Sequence, residues 1–272
     1  MSDRVTLTLR APLTRAIGAD CITADRFSGL SEQEIGALTL WDGHVAVPLG
    51  DVFSIHGDHS SSVTIEGDLA HLDDVGTAMP GGEIAIMGSV GRGVGGRMSG
   101  GAIRVALSAG DDAGIAMAGG LLAIDGNAGD RAGGALQGAS KGMTGGEIIV
   151  RGSVGRDAAA RMRRGTLFCA SAGENAGTAM IAGNIIVTGA LGDGAGLGNK
   201  RGSIHALGGV RVPSTYAYAC TYRPPHVRLM LLSLRARYGL AIDDAHVHGL
   251  YARYSGDLAD IGKGEILEWQ AT

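Results

Sequence analysis

His246 and His248, one residue apart, have the sharpest metal-type spacing in the chain. On a strand, alternate side chains share a face, so both imidazoles could reach one ion. No third ligand can be named, and a surface pair is the plainer reading. His56 and His59 form a weaker pair. GRGVGG, residues 91–96, satisfies the G-x-G-x-x-G pattern of a dinucleotide loop. That pattern needs a strand entering and a helix leaving, so that the helix amino end meets the pyrophosphate. The next residues are RMSGGAIRVAL, with adjacent glycines and another strand-like run, and glycine costs about 1 kcal/mol in a helix interior. GKG at 262–264 invites a P-loop reading, but the required first glycine is Asp257 and the required Ser/Thr is Gly264. No serine sits on a nucleophile elbow, and neither HExxH nor a dry carboxylate pair is present. The aspartate pairs beginning at Asp73, Asp111 and Asp243 read as solvated turns. The sequence therefore predicts no catalytic residue and no metal ligand.

The glycines need another explanation. The chain has 272 residues, of which 48 are glycine, against a usual share of about 7%. There is no collagen triplet, and 45% hydrophobic residues argue against disorder, which leaves a repeat. Aligned on the glycine before each strand-like run, units start at Gly82, Gly101, Gly120, Gly146, Gly165, Gly183 and Gly202. The steps are 19, 19, 26, 19, 18 and 19 residues, the long one carrying GALQGASK. Periods of this length mark solenoids.

Within each unit the second and fourth residues after the glycine are apolar, the period of two of a strand with one buried face. They form one column from Ile84 to Ile204 and another from Ile86 to Ala206 that includes Cys169. Met79, Met98, Met117, Met143, Met162 and Met180 form a third. An unbranched thioether suits a narrow stacked interior, so this stripe predicts core rather than a soft-metal site. The turn sequences, such as GDDAG at 110 and GENAG at 173, place glycine where the backbone must bend and lie flat. Fold class is thus expected to be all-β, a parallel β-helix over residues 61–209 with coils of about 19 residues. Its right hand rests on the crossover rule.

Residues 1–60 predict an N-terminal cap: a strand VTLTL, a short helix opened by a capping box at Ser31 and Glu34, and a hairpin turning at Asp42-Gly43. Residues 210–272 predict a C-terminal cap with one helix, PPHVRLMLLSLRARYG, prolines at its start and Gly239 past its end.

A net charge of -4 supplies no electrostatic reason for a nucleic-acid partner. Cys21, Cys169 and Cys220 are too scattered for a disulfide framework. With neither a signal-peptide core nor an apolar run of about 18 residues, the expectation is a cytoplasmic protein without a membrane segment. One basic feature stands out. Arg163-Arg164 precede Gly165 and Lys200-Arg201 precede Gly202, so register places both pairs at one corner, about 10 Å apart. These four are the predicted contact for an acidic partner or a polyanionic ligand, as against a merely solvated corner.

VPLGDVFSI, the G-x-I-x-V-x-G units and YARYSGDLADIGKGEIL together resemble the C subunit of formylmethanofuran dehydrogenase and of its bacterial relative, the formyltransferase/hydrolase complex. The coils also resemble the GXGXG domain of the glutamate synthase large chain; the flanking segments favour the C subunit. The resemblance implies a right-handed parallel β-helix serving as a non-catalytic organising subunit. In the bacterial complex a formyl group passes from formyl-tetrahydromethanopterin to a methanofuran-type carrier and is hydrolysed to formate. The implied partners are a formyltransferase, a metal-dependent amidohydrolase-like chain and a dehydrogenase-like chain without redox centres. No cofactor is expected on this chain alone. An Ala, Gly and Arg-rich composition favours the bacterial complex over the molybdenum or tungsten dehydrogenase. A polysaccharide-acting β-helix and a scaffold outside one-carbon metabolism are two further readings, and scarce aromatic residues speak against the first.

Overall fold

The period-two columns become strands because each puts its apolar residues on one face and its mixed residues on the other. The computed structural model describes residues 4–271, with 32% strand and 12% helix. One large sheet is formed by β1 (Val5–Leu9), β2 (Phe53–His56), β3 (Ser62–Glu66), β4 (Glu83–Met87), β5 (Ala102–Val105), β6 (Leu121–Ile124) and β7 (Glu147–Val150). It continues through β8 (Thr166–Cys169), β9 (Asn184–Val187), β10 (Ser203–Ala206), β11 (Ala217–Tyr222), β12 (Leu250–Gly256) and β13 (Gly264–Gln270). The spatial order is β11-β12-β13-β10-β9-β8-β7-β6-β5-β4-β3-β1-β2. From β3 to β10 each strand pairs in parallel with the next, and β13 joins β10 in parallel. The pairings of β1 with β2, β11 with β12 and β12 with β13 are antiparallel.

Residues at one repeat position are hydrogen-bonded neighbours: Ile84 faces Ile103, Leu122 faces Ile148, and Ile185 faces Ile204. A second line of parallel bridges runs unbroken through Leu69, Val90, Ala109, Ala128, Val154, Ala172, Leu191 and Val210. Between these lines the six repeat methionines are fully buried in the main core. Cys169 lies among them, and burial pushes its thiol up to about 12, so it is an apolar filler rather than a nucleophile.

The cap elements follow local rules with a few exceptions. Helix α1 (Ala24–Phe27) precedes α2 (Glu32–Gly36), whose capping box at Ser31 and Glu34 is formed as expected. The hairpin joins Thr39–Asp42 to Val45–Pro48, but Asp42 pairs with Val45, so the loop is Gly43-His44, one residue later than expected. Gly43, with φ of 60°, takes the first loop position, which requires a left-handed residue there. Helix α3 (Leu49–Val52) leads into β2. At the other end the expected helix is α4 (Pro225–Tyr238), closed by Gly239 at φ 60°, but a second, α5 (Asp244–His248), follows. The expectation of one helix missed α5 because a five-residue segment shows no periodicity. Met1–Asp3, the start of the first alternating run, lie outside the described residues.

Helix α4 lies on the outer face of β7 to β10. Val227, Leu231 and Leu234 join Ile149, Phe168 and Ile186 in a second buried cluster. That explains why the outward residues of β7 to β9 are apolar although the repeat alone would allow polar ones.

Candidate functional site

The strands bring Arg163-Arg164 and Lys200-Arg201 to one corner of the sheet. Thr166 pairs with Asn184 and Asn184 with Ser203, so the two cation pairs are separated by a single intervening strand. All four residues are exposed. Lys200 Nζ lies 3.8 Å from Asp260, whereas Arg163, Arg164 and Arg201 have no side-chain hydrogen bond or ion pair among the described residues. The same register adds a fifth cation. Ser203 pairs with Glu265, which sets Lys263 beside Arg201 one strand further on. The lysine of the failed P-loop motif thus extends a basic column, which could have been found only by knowing that β13 continues the stack.

The loop carrying Lys263 is held by Asp257, only 2% exposed. Its carboxylate accepts the Gly198 and Ala259 N–H groups, each at 2.8 Å, and its own N–H donates to the Asn199 carbonyl at 3.1 Å. Burial works to raise this carboxyl, but the backbone donors from Gly198 and Ala259 outweigh it and hold it below the ordinary carboxylate range. Asn199, fully buried, bridges its own turn by bonds of 2.8 Å to the Gly202 N–H and carbonyl. Asp257→Ala is expected to cost about 1.5 kcal/mol in urea unfolding at neutral pH, the range for charge-assisted bonds. This contribution is present above pH 3.8 and is lost as pH falls through the lower folded value. A variant as stable as the parent at neutral pH would show that the loop is held by something else.

A second polar constellation was not legible as a site in the sequence. Asp112, 5% exposed, receives Arg131 through Nε at 2.7 Å and Nη2 at 2.8 Å, and Arg92 at 3.0 Å. Burial raises its carboxyl, but Arg131 first and Arg92 next more than reverse this and hold it down. Asp111 and Asp73 are likewise not merely solvated. Asp111 Oδ1 accepts the Asp130 N–H and Asp73 Oδ1 the Arg92 N–H, both at 2.9 Å, stapling each turn to the next. A signal was there to be found: Asp112 and Arg131 occupy the same repeat position one unit apart.

At the far end of α4, Glu147 accepts Arg237 through both oxygens at 2.8 and 2.7 Å and also the Tyr238 hydroxyl. Arg151 donates to the Tyr238 carbonyl at 2.6 Å and to Asp125 at 3.0 Å. These contacts seat the helix and line a cleft of about 300 Å³ with Arg104, Leu121 and Ile149.

His246 and His248 do not converge. They lie on helix α5, not on a strand, and positions two apart on a helix point to nearly opposite sides. The His246 ring stacks edge-on against Trp269 at 4.6 Å. His59 stands in a left-handed turn at φ 47° while His56 ends β2. Among the described residues no group of three metal-ligating side chains assembles, and no helix is long and apolar enough to cross a membrane.

No protein-family model matches the chain. The C subunit of the formyltransferase/hydrolase complex Fhc of Methylorubrum extorquens is 49% identical over 261 residues, covering 96% of this chain and 98% of the relative. The C subunit of molybdenum-containing formylmethanofuran dehydrogenase 1 of Methanosarcina barkeri is 40% identical, but only over 78 residues, 27% of this chain and 26% of the relative. The crystal structure of the formyltransferase/hydrolase complex FhcABCD from Methylorubrum extorquens, in complex with methylofuran, contains a chain that superposes with a TM-score of 0.90. That match has 41% identity and spans 98% of this chain and 100% of the other. With half its residues identical along nearly the whole length of both partners, the chain belongs to the family of the formyltransferase/hydrolase complex C subunit.

Proposed function

We propose that this chain is the non-catalytic organising subunit of a formyltransferase/hydrolase complex that moves a formyl group from formyl-tetrahydromethanopterin to a methanofuran-type carrier and hydrolyses it to formate. The observation that carries the reading is the near-complete mutual coverage with the C subunit of the Fhc complex. Similarity to the dehydrogenase's C subunit is confined to about a quarter of the chain, which makes that assignment the second choice. The partners are a formyltransferase, an amidohydrolase-like chain and a dehydrogenase-like chain without redox centres, and the complex works in the cytoplasm. The carrier belongs to the assembled complex, and this chain alone holds no cofactor.

For the architecture we propose a right-handed parallel β-helix over residues 61–209, with caps at 1–60 and 210–272. Support comes from the strands repeating in register, the second line of bridges and a further hydrogen-bond line in which Gly95, Gly114 and Gly133 donate to Val75, Val94 and Ala113. Lateral lines at three places around each unit are what a stacked coil requires.

The basic column is the proposed contact for an acidic surface of a partner or for a polyanionic ligand. Replacing Arg163, Arg164, Lys200 and Arg201 together by serine is expected to weaken complex formation about 10-fold at low ionic strength and to flatten its salt dependence. Unchanged assembly and salt slope would leave these residues as a solvated corner.

The function is tested by tagging the chain in its native cells, purifying at modest salt and identifying the companions by mass spectrometry. A formyltransferase with an amidohydrolase-like chain is the expected result. Iron-sulfur and molybdenum or tungsten subunits would move the assignment to the dehydrogenase, and a chain that emerges alone would end the organising-subunit reading.

A further inference from the structure

The two ends of the large sheet are finished differently. At one end the outermost strand is β2, four residues long, with Phe53 and Ile55 buried. Helices α2 and α3 pack against it. Arg10 Nε donates to the Gly50 carbonyl at 3.0 Å and to the Phe53 carbonyl at 3.1 Å, so even backbone acceptors at that end are covered from within the chain. Short length, helix cover and a cation on the edge are the devices by which proteins keep a strand edge from recruiting another strand.

At the other end the outermost strand is β11, AYACTY, six residues long. Five of its six residues are exposed and the sixth is half-buried. Among the described residues it pairs with β12 on one side only, and none of the backbone hydrogen bonds made outside the sheet involves Ala217 to Tyr222. The strand contains no charge and no proline, and it is rich in tyrosine, alanine, threonine and cysteine. Tyr218, 60% exposed, rests edge-on against its cross-strand partner Tyr254 at 6.0 Å. A row of unpaired N–H and C=O groups on an uncharged, exposed strand is a template for strand addition.

One blunting device is present. The register shifts between Tyr218 and Cys220, leaving Ala219 as a bulge. A bulge bends a strand and raises its twist. Two-fold pairing with a second copy would set two bends against each other, whereas a regular strand from a different chain can follow one bend. We infer that β11 accepts an extended, uncharged strand of another subunit of the complex, which continues the sheet across the subunit boundary. This rests on the reading of the chain as a member of a multi-subunit complex.

The test compares the isolated full-length chain with the assembled complex by hydrogen-deuterium exchange. The outward-facing amides of residues 217–222 are expected to exchange at least about 10-fold more slowly in the complex. Cys220 supplies an independent probe, since Cys21 and Cys169 are buried and Cys220 is exposed. A maleimide should label Cys220 in the isolated chain and react about 10-fold more slowly in the complex. The double variant Tyr218→Lys, Thr221→Lys, which places charge on an already exposed strand, should retain the parent's circular dichroism and lower the yield of co-purified partners at least about 10-fold. Equal exchange of these amides in the free chain and in an intact complex overturns the inference while leaving the organising-subunit reading standing. Protection already present in a dimer of the isolated chain overturns it in favour of self-pairing. Failure of the parent chain to recover any partner is instead a failure of the organising-subunit reading.

Discussion

Gly146→Ala is expected to lower the unfolding free energy by about 3–4 kcal/mol, while Gly138→Ala, at nearly the same backbone angle, costs about 1 kcal/mol. Gly146 has a φ of 87° and Gly138 a φ of 76°, so both substitutions place a side chain in the left-handed region. They differ in what the new methyl meets. At Gly146 a Cβ would lie 2.7 Å from the Gly120 carbonyl oxygen and 2.8 Å from the Met117 methyl. At Gly138, in the segment that lengthens one repeat step, nothing stands within 4 Å. The Gly120 carbonyl accepts the Glu147 N–H at 3.0 Å, so moving it breaks the line between β6 and β7 at its start. Met117 is fully buried and cannot swing away without leaving a void. Urea unfolding of the two variants checks this, with equal slopes required for the comparison. Equal losses would mean that backbone angle alone, not close stacking, places glycine at the start of each unit.

A pH-dependent loss of about 2–3 kcal/mol is expected between pH 7.5 and pH 4.5 from one residue, His205. Its neighbours Ile204 and Ala206 face the main core, so His205 faces the opposite side, beneath the C-terminal elements, and is fully buried there. Burial first, with His226 a lesser influence and Glu265 opposing both, pulls the imidazole from 6.5 down to about 4. Its Nε2 stands 3.4 Å from Asn184 Oδ1, and its Nδ1 is buried with no hydrogen-bond partner among the described residues. The folded pKa is therefore below the unfolded one. Below pH 6.5 the unfolded chain takes up a proton that the folded chain refuses until pH approaches 4, so stability is complete above 6.5 and drains away through that window. His205→Gln keeps an amide near Asn184 but cannot titrate. Its unfolding free energy should lose most of the parent's slope over the same range. A variant that retained the parent's slope would show that His205 is not the group responsible.

The amino-acid sequence by itself determined the strands of the repeat, their parallel stacking and the buried methionine column. Each follows from a local pattern, a period of two inside a period of about 19, repeated often enough that one disturbed unit cannot hide it. Cys169 was readable as core for the same reason, because its column neighbours are aliphatic. The basic corner was readable too, since equal repeat positions must lie side by side. Whatever depends on a single contact between distant residues was decided only by the tertiary structure. Arg237 and Glu147 are 90 residues apart, and Asp257 reaches Gly198 across 59. No periodicity announces such pairs. The placement of β13 beside β10 put Lys263 into the basic column, and a five-residue helix too short to show a period turned His246 and His248 apart. The asymmetry of the two sheet ends belongs to the same class. An alternating uncharged hexapeptide looks alike in the middle of a sheet and at its rim, and only the packing of the neighbouring segments leaves β11 with one side unpaired.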